Sequence, residues 1–318
     1  MRRLFKPALL LAVFVFAAAA CSSSTSSGYT DSSGDKITSY ALADGSYTYE
    51  LSANAKGTIG LGESLEDLLP DALKGALAIF GKQIPIEMGY TATADATVSS
   101  TSDGQTIDLT YTSVEGSVDF ATQKSSITLK DLDGDKASYE LASDGTLTAK
   151  TDPLGSRFWI TGGGLTSCPK LPAGGAANGQ SWDAEEDLKG VLGFITSPIK
   201  FSNNYAVDGG SATVKGEADN LDGLEVSTKD IIDRINTAIG SVLNAEIPVI
   251  DVKAALKGTG NFSTSCSLSV PAQELAGMEQ KFEIDGDLEI SGSSLPSGVE
   301  PGSFVAVKLD ATSSLKSK

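Results

Sequence analysis

Histidine is missing from all 318 residues. That absence removes Ser-His-Asp and Cys-His catalysis, histidine-ligated zinc and haem held by an axial imidazole. Basic residues are in the minority, with 24 Lys and Arg against 41 Asp and Glu and a net charge of −17. A chain so short of cations suits neither nucleic acid nor a flat seat on anionic lipid, since both draw on clusters of Lys and Arg. Its acidic residues are spread along the sequence, which solubility explains. Long apolar runs are also lacking, with one exception. Ala8 to Ala20 is uninterrupted, yet shorter than the roughly 20 residues that span a bilayer.

That run follows Arg2, Arg3 and Lys6 and gives way to a Ser/Thr tract rather than to a positive stop. Residues 1–20 therefore read as an export signal. Ala18-Ala19-Ala20-Cys21 resembles the lipobox of bacterial lipoprotein precursors, with Ala18 where Leu is commonest. Ordinary cleavage after Ala18-x-Ala20 is the competing reading. The resemblance implies lipidation of Cys21, which becomes the mature N-terminus and carries a diacylglyceryl thioether and an N-acyl chain such as palmitate. Several chains at about 0.8 kcal/mol per buried methylene make a stable membrane anchor. The same resemblance implies a bacterial cell-envelope address. Ser22 in place of an Asp beside the cysteine favours the outer over the inner membrane, with the body periplasmic or surface-exposed. Residues 21–36, rich in Ser, Thr, Gly and Asp, read as a flexible tether with almost nothing to bury.

Two cysteines remain, Cys168 and Cys266. In an exported protein an isolated pair predicts a disulfide. Cys266 shares one face of a strand with Phe262, Thr264, Leu268 and Val270, a setting for a structural bridge rather than a reactive thiol.

Asp-Gly punctuates the body at Asp44-Gly45, Asp103-Gly104, Asp133-Gly134, Asp144-Gly145, Asp208-Gly209, Asp222-Gly223 and Asp285-Gly286. Between alternating segments this dipeptide is a hairpin signal. The flanks do alternate: Tyr47, Tyr49, Leu51, Ala53 and Ala55 take one face, and Ile107, Leu109 and Tyr111 repeat the pattern. Half-buried antiparallel strands follow from that period.

Two segments run at helical spacing instead. Over 64–80, Leu65, Leu68, Leu69, Leu73, Leu77 and Phe80 form one stripe; over 227–243, Ile231, Ile232, Ile235, Ile239 and Leu243 do the same. The segments align at an offset of about 163 residues, Ser64 on Ser227 and Ile84-Pro85-Ile86 on Ile247-Pro248-Val249, a spacing that predicts internal duplication. A third helix is expected over 183–196, with Asp183 and Glu186 as a capping pair. The expected fold is α+β: mainly antiparallel β, with curved sheets packed on a few amphipathic helices. Its two similar halves cover 37–160 and 161–318, meeting in the Gly/Pro-rich stretch that follows residue 161.

Chemistry is sparse. Asp131, Asp133 and Asp135 alternate as in a calcium loop, but an EF-hand needs Gly at the sixth position and Glu at the twelfth, where Lys136 and Ala142 stand. A hairpin tip is the simpler reading, so no metal is expected. Ser197-x-x-Lys200 lacks the Lys-Thr-Gly strand of serine acyl enzymes. The glycine-rich GTIGLG and GTGNFS stretches do not lead from a strand into a helix as phosphate loops do. No enzyme activity and no cofactor are expected.

A curved sheet wrapping helices is similar in architecture to the lipoprotein-carrier (LolA/LppX-like) half-barrels and to tubular lipid-binding envelope proteins. That resemblance implies an apolar or lipid ligand lying between helix and sheet, lined by Leu68, Leu69, Leu73, Ile232, Ile235 and Ile239. The competing expectation is a structural or interaction module of the envelope, with a solid core and no ligand.

Overall fold

The structure is a computed structural model. It describes residues 36–62, 83–102, 104–120, 123–125, 130–157, 167–187, 194–233, 249, 251–270, 274–291, 295 and 301–318. Alternation sets the local conformation. In the segment from Gly45, Tyr49, Leu51, Ala53 and Ala55 are buried while Glu50, Asn54 and Lys56 are exposed, so the chain buries one face only if it is extended. The strands are β1 (Lys36–Ile37), β2 (Gly45–Leu61), β3 (Gln83–Ser100), β4 (Gln105–Phe120), β5 (Gln123–Ser125), β6 (Lys136–Leu141) and β7 (Leu147–Thr151). They continue as β8 (Ala176–Ala177), β9 (Ser181–Glu186), β10 (Ile199–Asp208), β11 (Ser211–Ala218), β12 (Glu225–Ser227), β13 (Lys253–Ser269), β14 (Leu275–Ile290) and β15 (Gly302–Ser317). A short helix, α1, spans Pro153–Arg157.

Thirteen strands form one antiparallel sheet in the order β7-β6-β4-β3-β2-β15-β14-β13-β11-β10-β9, with β5 on β4 and β12 on β13. The first half meets the second where β15 pairs with β2, from Val305–Leu61 to Ser317–Tyr49. The halves therefore share a sheet rather than forming one each.

This corrects the α+β expectation. Among the described residues 68% are strand and 5% helical, the helical ones being α1 and residues 228–233. The second of these begins where expected, with Ser227 Oγ accepting the Asp230 N–H at 3.2 Å as an N-cap does. The helix expected from Asp183 is instead edge strand β9, paired with β10 from Glu186–Ile199 to Ser181–Asn204. Alternation of exposed Ser181, Asp183 and Glu185 with more enclosed Trp182, Ala184 and Glu186 fits a strand as well as a capping pair fits a helix, and the partner strand decides. Residues 64–80 lie outside the described residues.

Two segments fill one end of the curl, Ile37–Leu42 and Ser167–Ala177. Ile37, Tyr40, Leu42, Cys168, Leu171 and Ala176 are all buried there. Gln105 holds Leu42 by both backbone groups, each at 2.6 Å. Tyr40 donates from its hydroxyl to the Pro169 carbonyl, and Leu171 N–H donates to Asp144 O beyond β6. Lys170 N–H donates to Glu186 Oε1 on β9 at 2.7 Å. The segment thus ties the β6–β7 turn to the opposite edge of the sheet. The Cys168–Cys266 disulfide fastens it to β13, and Thr264 Oγ1 donates to Ser167 O beside it.

Most Asp-Gly pairs do turn the chain: Gly134, Gly145, Gly209 and Gly223 have positive φ. Asp285-Gly286 is an exception, lying within β14 opposite Gly258 of β13. A Cβ on either glycine would stand 2.4 Å from a carbonyl oxygen of the other strand. Gly57 on β2 is tighter, at 1.9 Å from Lys308 O. The glycine-rich stretches are therefore strand positions at which neighbouring backbones approach too closely for a side chain, not phosphate loops.

Candidate functional site

The filled end has an opposite. Where β2, β14 and β4 finish and β3, β13 and β15 begin, the inner face is lined by hydrocarbon. Ile59, Ile86, Leu256, Ile284, Leu288 and Val307 face one another across five strands, with Phe194, Val226 and Ile231 closing over them. They border a cavity of about 70 Å³, with no polar surface in its lining. Ile59, Val307 and Leu309 are only partly buried, so the hollow communicates with the outside. Register explains the grouping: Ile59 pairs with Val307, Gly57 with Leu309 and Leu256 with Leu288. The glycines of close backbone approach lie in the same rows. They remove side chains from those rows, and the neighbouring hydrocarbons surround the resulting space.

A polar row separates this hollow from the filled end. Asn203, Thr264, Gln280 and Ser313 are buried on the inner face, in register across β10, β11, β13, β14 and β15 with Gly216 between Asn203 and Thr264. Asn203 Nδ2 reaches Lys170 O at 3.5 Å. The sequence signal for this row was a polar residue at an inward position of each alternating strand, which is also how a tolerated core hydroxyl looks.

Beside it, Tyr90, Tyr111 and Tyr139 project inward from β3, β4 and β6 and are buried. Burial pushes all three phenols above their ordinary pKa, and the Asp152 carboxylate adds to the shift. Asp152 Oδ1 accepts the Gly155 N–H at 2.7 Å at the start of α1.

Glu186 is the one buried carboxylate among the described residues. Burial raises its pKa and Asp144 does so as well, while the Lys170 N–H, the Lys170 charge and Asn203 act against them. A folded pKa above the unfolded one means a stabilising contribution that is complete at low pH and lost as pH rises through the folded value. Glu186→Gln is therefore expected to raise the urea midpoint at pH 7 while leaving it nearly unchanged near pH 4; a lower midpoint at both values would show that the carboxylate charge supports the fold.

Of the residues expected to line a ligand site, Ile232 is buried and Ile231 beside it borders the cavity. Leu68, Leu69, Leu73, Ile235 and Ile239 lie outside the described residues, as does Cys21. The lining observed is mainly strand side chains. Asp133 Oδ1 accepts the Val114 N–H at 3.0 Å in a turn carried by Gly134, and among the described residues no His/Cys/Asp/Glu group is placed to hold a metal ion. No described helix is long and apolar enough to cross a membrane.

These features define a class: a curled antiparallel β body, filled at one end and apolar at the other. No protein-family model matches the chain, and no curated protein does. Among solved structures it is similar to one concerned with lipid–protein interactions in lipovitellin, at 10% identity and a TM-score of 0.43. The match covers 87% of this chain and 25% of that one, so the chain spans about a quarter of its length.

Proposed function

We propose that this protein is a non-catalytic lipoprotein of the bacterial envelope, held by lipid on Cys21, that binds an apolar ligand at the open end of its curled sheet. One observation carries the ligand reading: a cavity lined by aliphatic and aromatic carbon alone, opening past the half-buried Ile59 and Val307. Such a lining gains from a hydrocarbon chain and offers nothing to a polar one. At about 70 Å³ the hollow takes the end of an acyl chain, being smaller than the roughly 150 Å³ that admits benzene in an engineered core. Its modest size is also what a scaffold without ligand would show, and that is the competing reading. The non-catalytic part rests on the missing histidine and on the poor fit of the Ser197/Lys200 pair to any acyl enzyme. The anchor and the envelope address rest on the Ala18–Cys21 sequence.

The full chain, isolated from a bacterial envelope, is expected to carry a stoichiometric extra mass that leaves with organic solvent, over and above the acyl groups on Cys21. It is also expected to bind a fluorescent polyene fatty acid. Val307→Asp places a carboxylate in the half-exposed mouth, where desolvation opposes it, and should weaken that binding about tenfold or more, with circular dichroism of the variant separating lost binding from lost fold. No extractable mass together with no fatty-acid binding by the parent chain would reject the ligand and favour the scaffold.

A further inference from the structure

We infer that the apolar mouth opens away from the membrane to which the protein is anchored. This goes beyond the reading above and rests on its lipid on Cys21. The described chain enters at Lys36, which pairs with Ala177 in the β1–β8 ribbon. Asn178 and Gly179, next along the chain, bond to Val207 and Tyr205 near the end of β10. Lys36 therefore emerges at the filled end, beside the Asp208–Ser211 turn. The cavity is at the other end. Leu268 of β13 stands level with Ala212 just past that turn, whereas Leu256 of the same strand borders the cavity. The intervening run of strand, at 3.3–3.4 Å per residue, is about 40 Å long.

Fifteen residues of sequence separate Cys21 from Lys36. Even at full extension, a chain of that length reaches only about 50 Å. With the filled end next to the bilayer, that reach is ample for the tether. To turn the mouth onto the same bilayer, it would have to run beside the whole body, stretched almost straight. The filled end itself offers no route inward, since Ile37, Tyr40, Leu42 and Leu171 occupy it and the disulfide pins them through Cys168. The anchoring bilayer is then not the surface with which the mouth exchanges its ligand.

The test uses the full lipidated chain in phosphatidylcholine vesicles containing a head-group quencher. One fluorophore is attached at a time, through Asp208→Cys at the filled end or Lys253→Cys at the mouth, both exposed positions. Quenching at Asp208→Cys should exceed that at Lys253→Cys several-fold. Equal quenching, or stronger quenching at Lys253→Cys, overturns the orientation. Failure of the unlabelled chain to float with the vesicles overturns it at its anchor. None of these readouts depends on a bound ligand, so a failure of the cavity reading shows only in the fatty-acid experiment.

Discussion

Cys266→Ala should lower the unfolding free energy by about 4–5 kcal/mol, the chain-entropy value for opening a loop of this size, since the bridge spans a separation of 98 residues. Cys168→Ala should cost about as much, and the double variant little more than either, because both remove the same bridge. The position of the bridge adds to the expected loss. Cys266 is fully buried between Val214 and Met278 on neighbouring strands, so its truncation also leaves a small void. The released segment is the one that ties β9 to the β6–β7 turn. Urea unfolding of the oxidised full chain and of each variant measures the difference. A loss below about 1 kcal/mol would mean that Tyr40, Thr264 and Glu186, which bond to Pro169, Ser167 and Lys170, hold the segment without the bridge.

Alkaline pH should unfold the protein steeply. Tyr49, Tyr90, Tyr111 and Tyr139 are buried, and burial is the leading cause raising each phenol above its ordinary pKa of 10.0. For a group whose folded pKa is raised, the stabilising contribution is complete below the unfolded pKa and lost as pH climbs past it. Above pH 10 the unfolded chain releases these protons while the folded chain retains them. Each phenol then costs about 1.4 kcal/mol per pH unit, or about 5.5 kcal/mol per unit for the four together. Absorbance at phenolate wavelengths, followed alongside circular dichroism, should show these tyrosines ionising together with the loss of structure. Ionisation of all the tyrosines near pH 10 with the fold intact would show that the inner face admits water. Tyr111→Phe and Tyr139→Phe should each make the alkaline loss shallower.

Strand character was legible from residues alone. The alternation of Tyr49, Leu51, Ala53 and Ala55, and of Phe262, Thr264, Cys266 and Leu268, depends only on the two-residue repeat of an extended chain. So did the disulfide, because only two cysteines remain once Cys21 is set aside. Other readings failed for a shared reason: one local pattern serves two structures, and a distant partner chooses. Asp183 to Glu186 satisfies a helix cap and an edge strand equally, and β10 makes it a strand. Asp285-Gly286 suits a turn, yet opposite Gly258 it lies within β14. The ligand-site residues drawn from the helical stripes are a separate case: Ile232 is buried beside Ile231 of the lining, the other five lie outside the described residues, and Ile59, Ile86, Leu288 and Val307 are lining residues that the sequence reading did not single out. Those residues look like ordinary core in any one strand.

By itself, then, the sequence determined what short-range physics determines: which stretches are extended and which face is apolar, where Gly turns the chain, that no imidazole chemistry is available, and that one cysteine pair would join. Tertiary structure alone decided that β15 joins β2 into a single sheet, that Ile37–Leu42 and Ser167–Ala177 fill one end, and that the apolar residues at the other end surround a hollow. Each of these depends on contacts between residues tens to hundreds of positions apart. Their free energy comes from burial shared among strands, and no single strand's pattern encodes its neighbours.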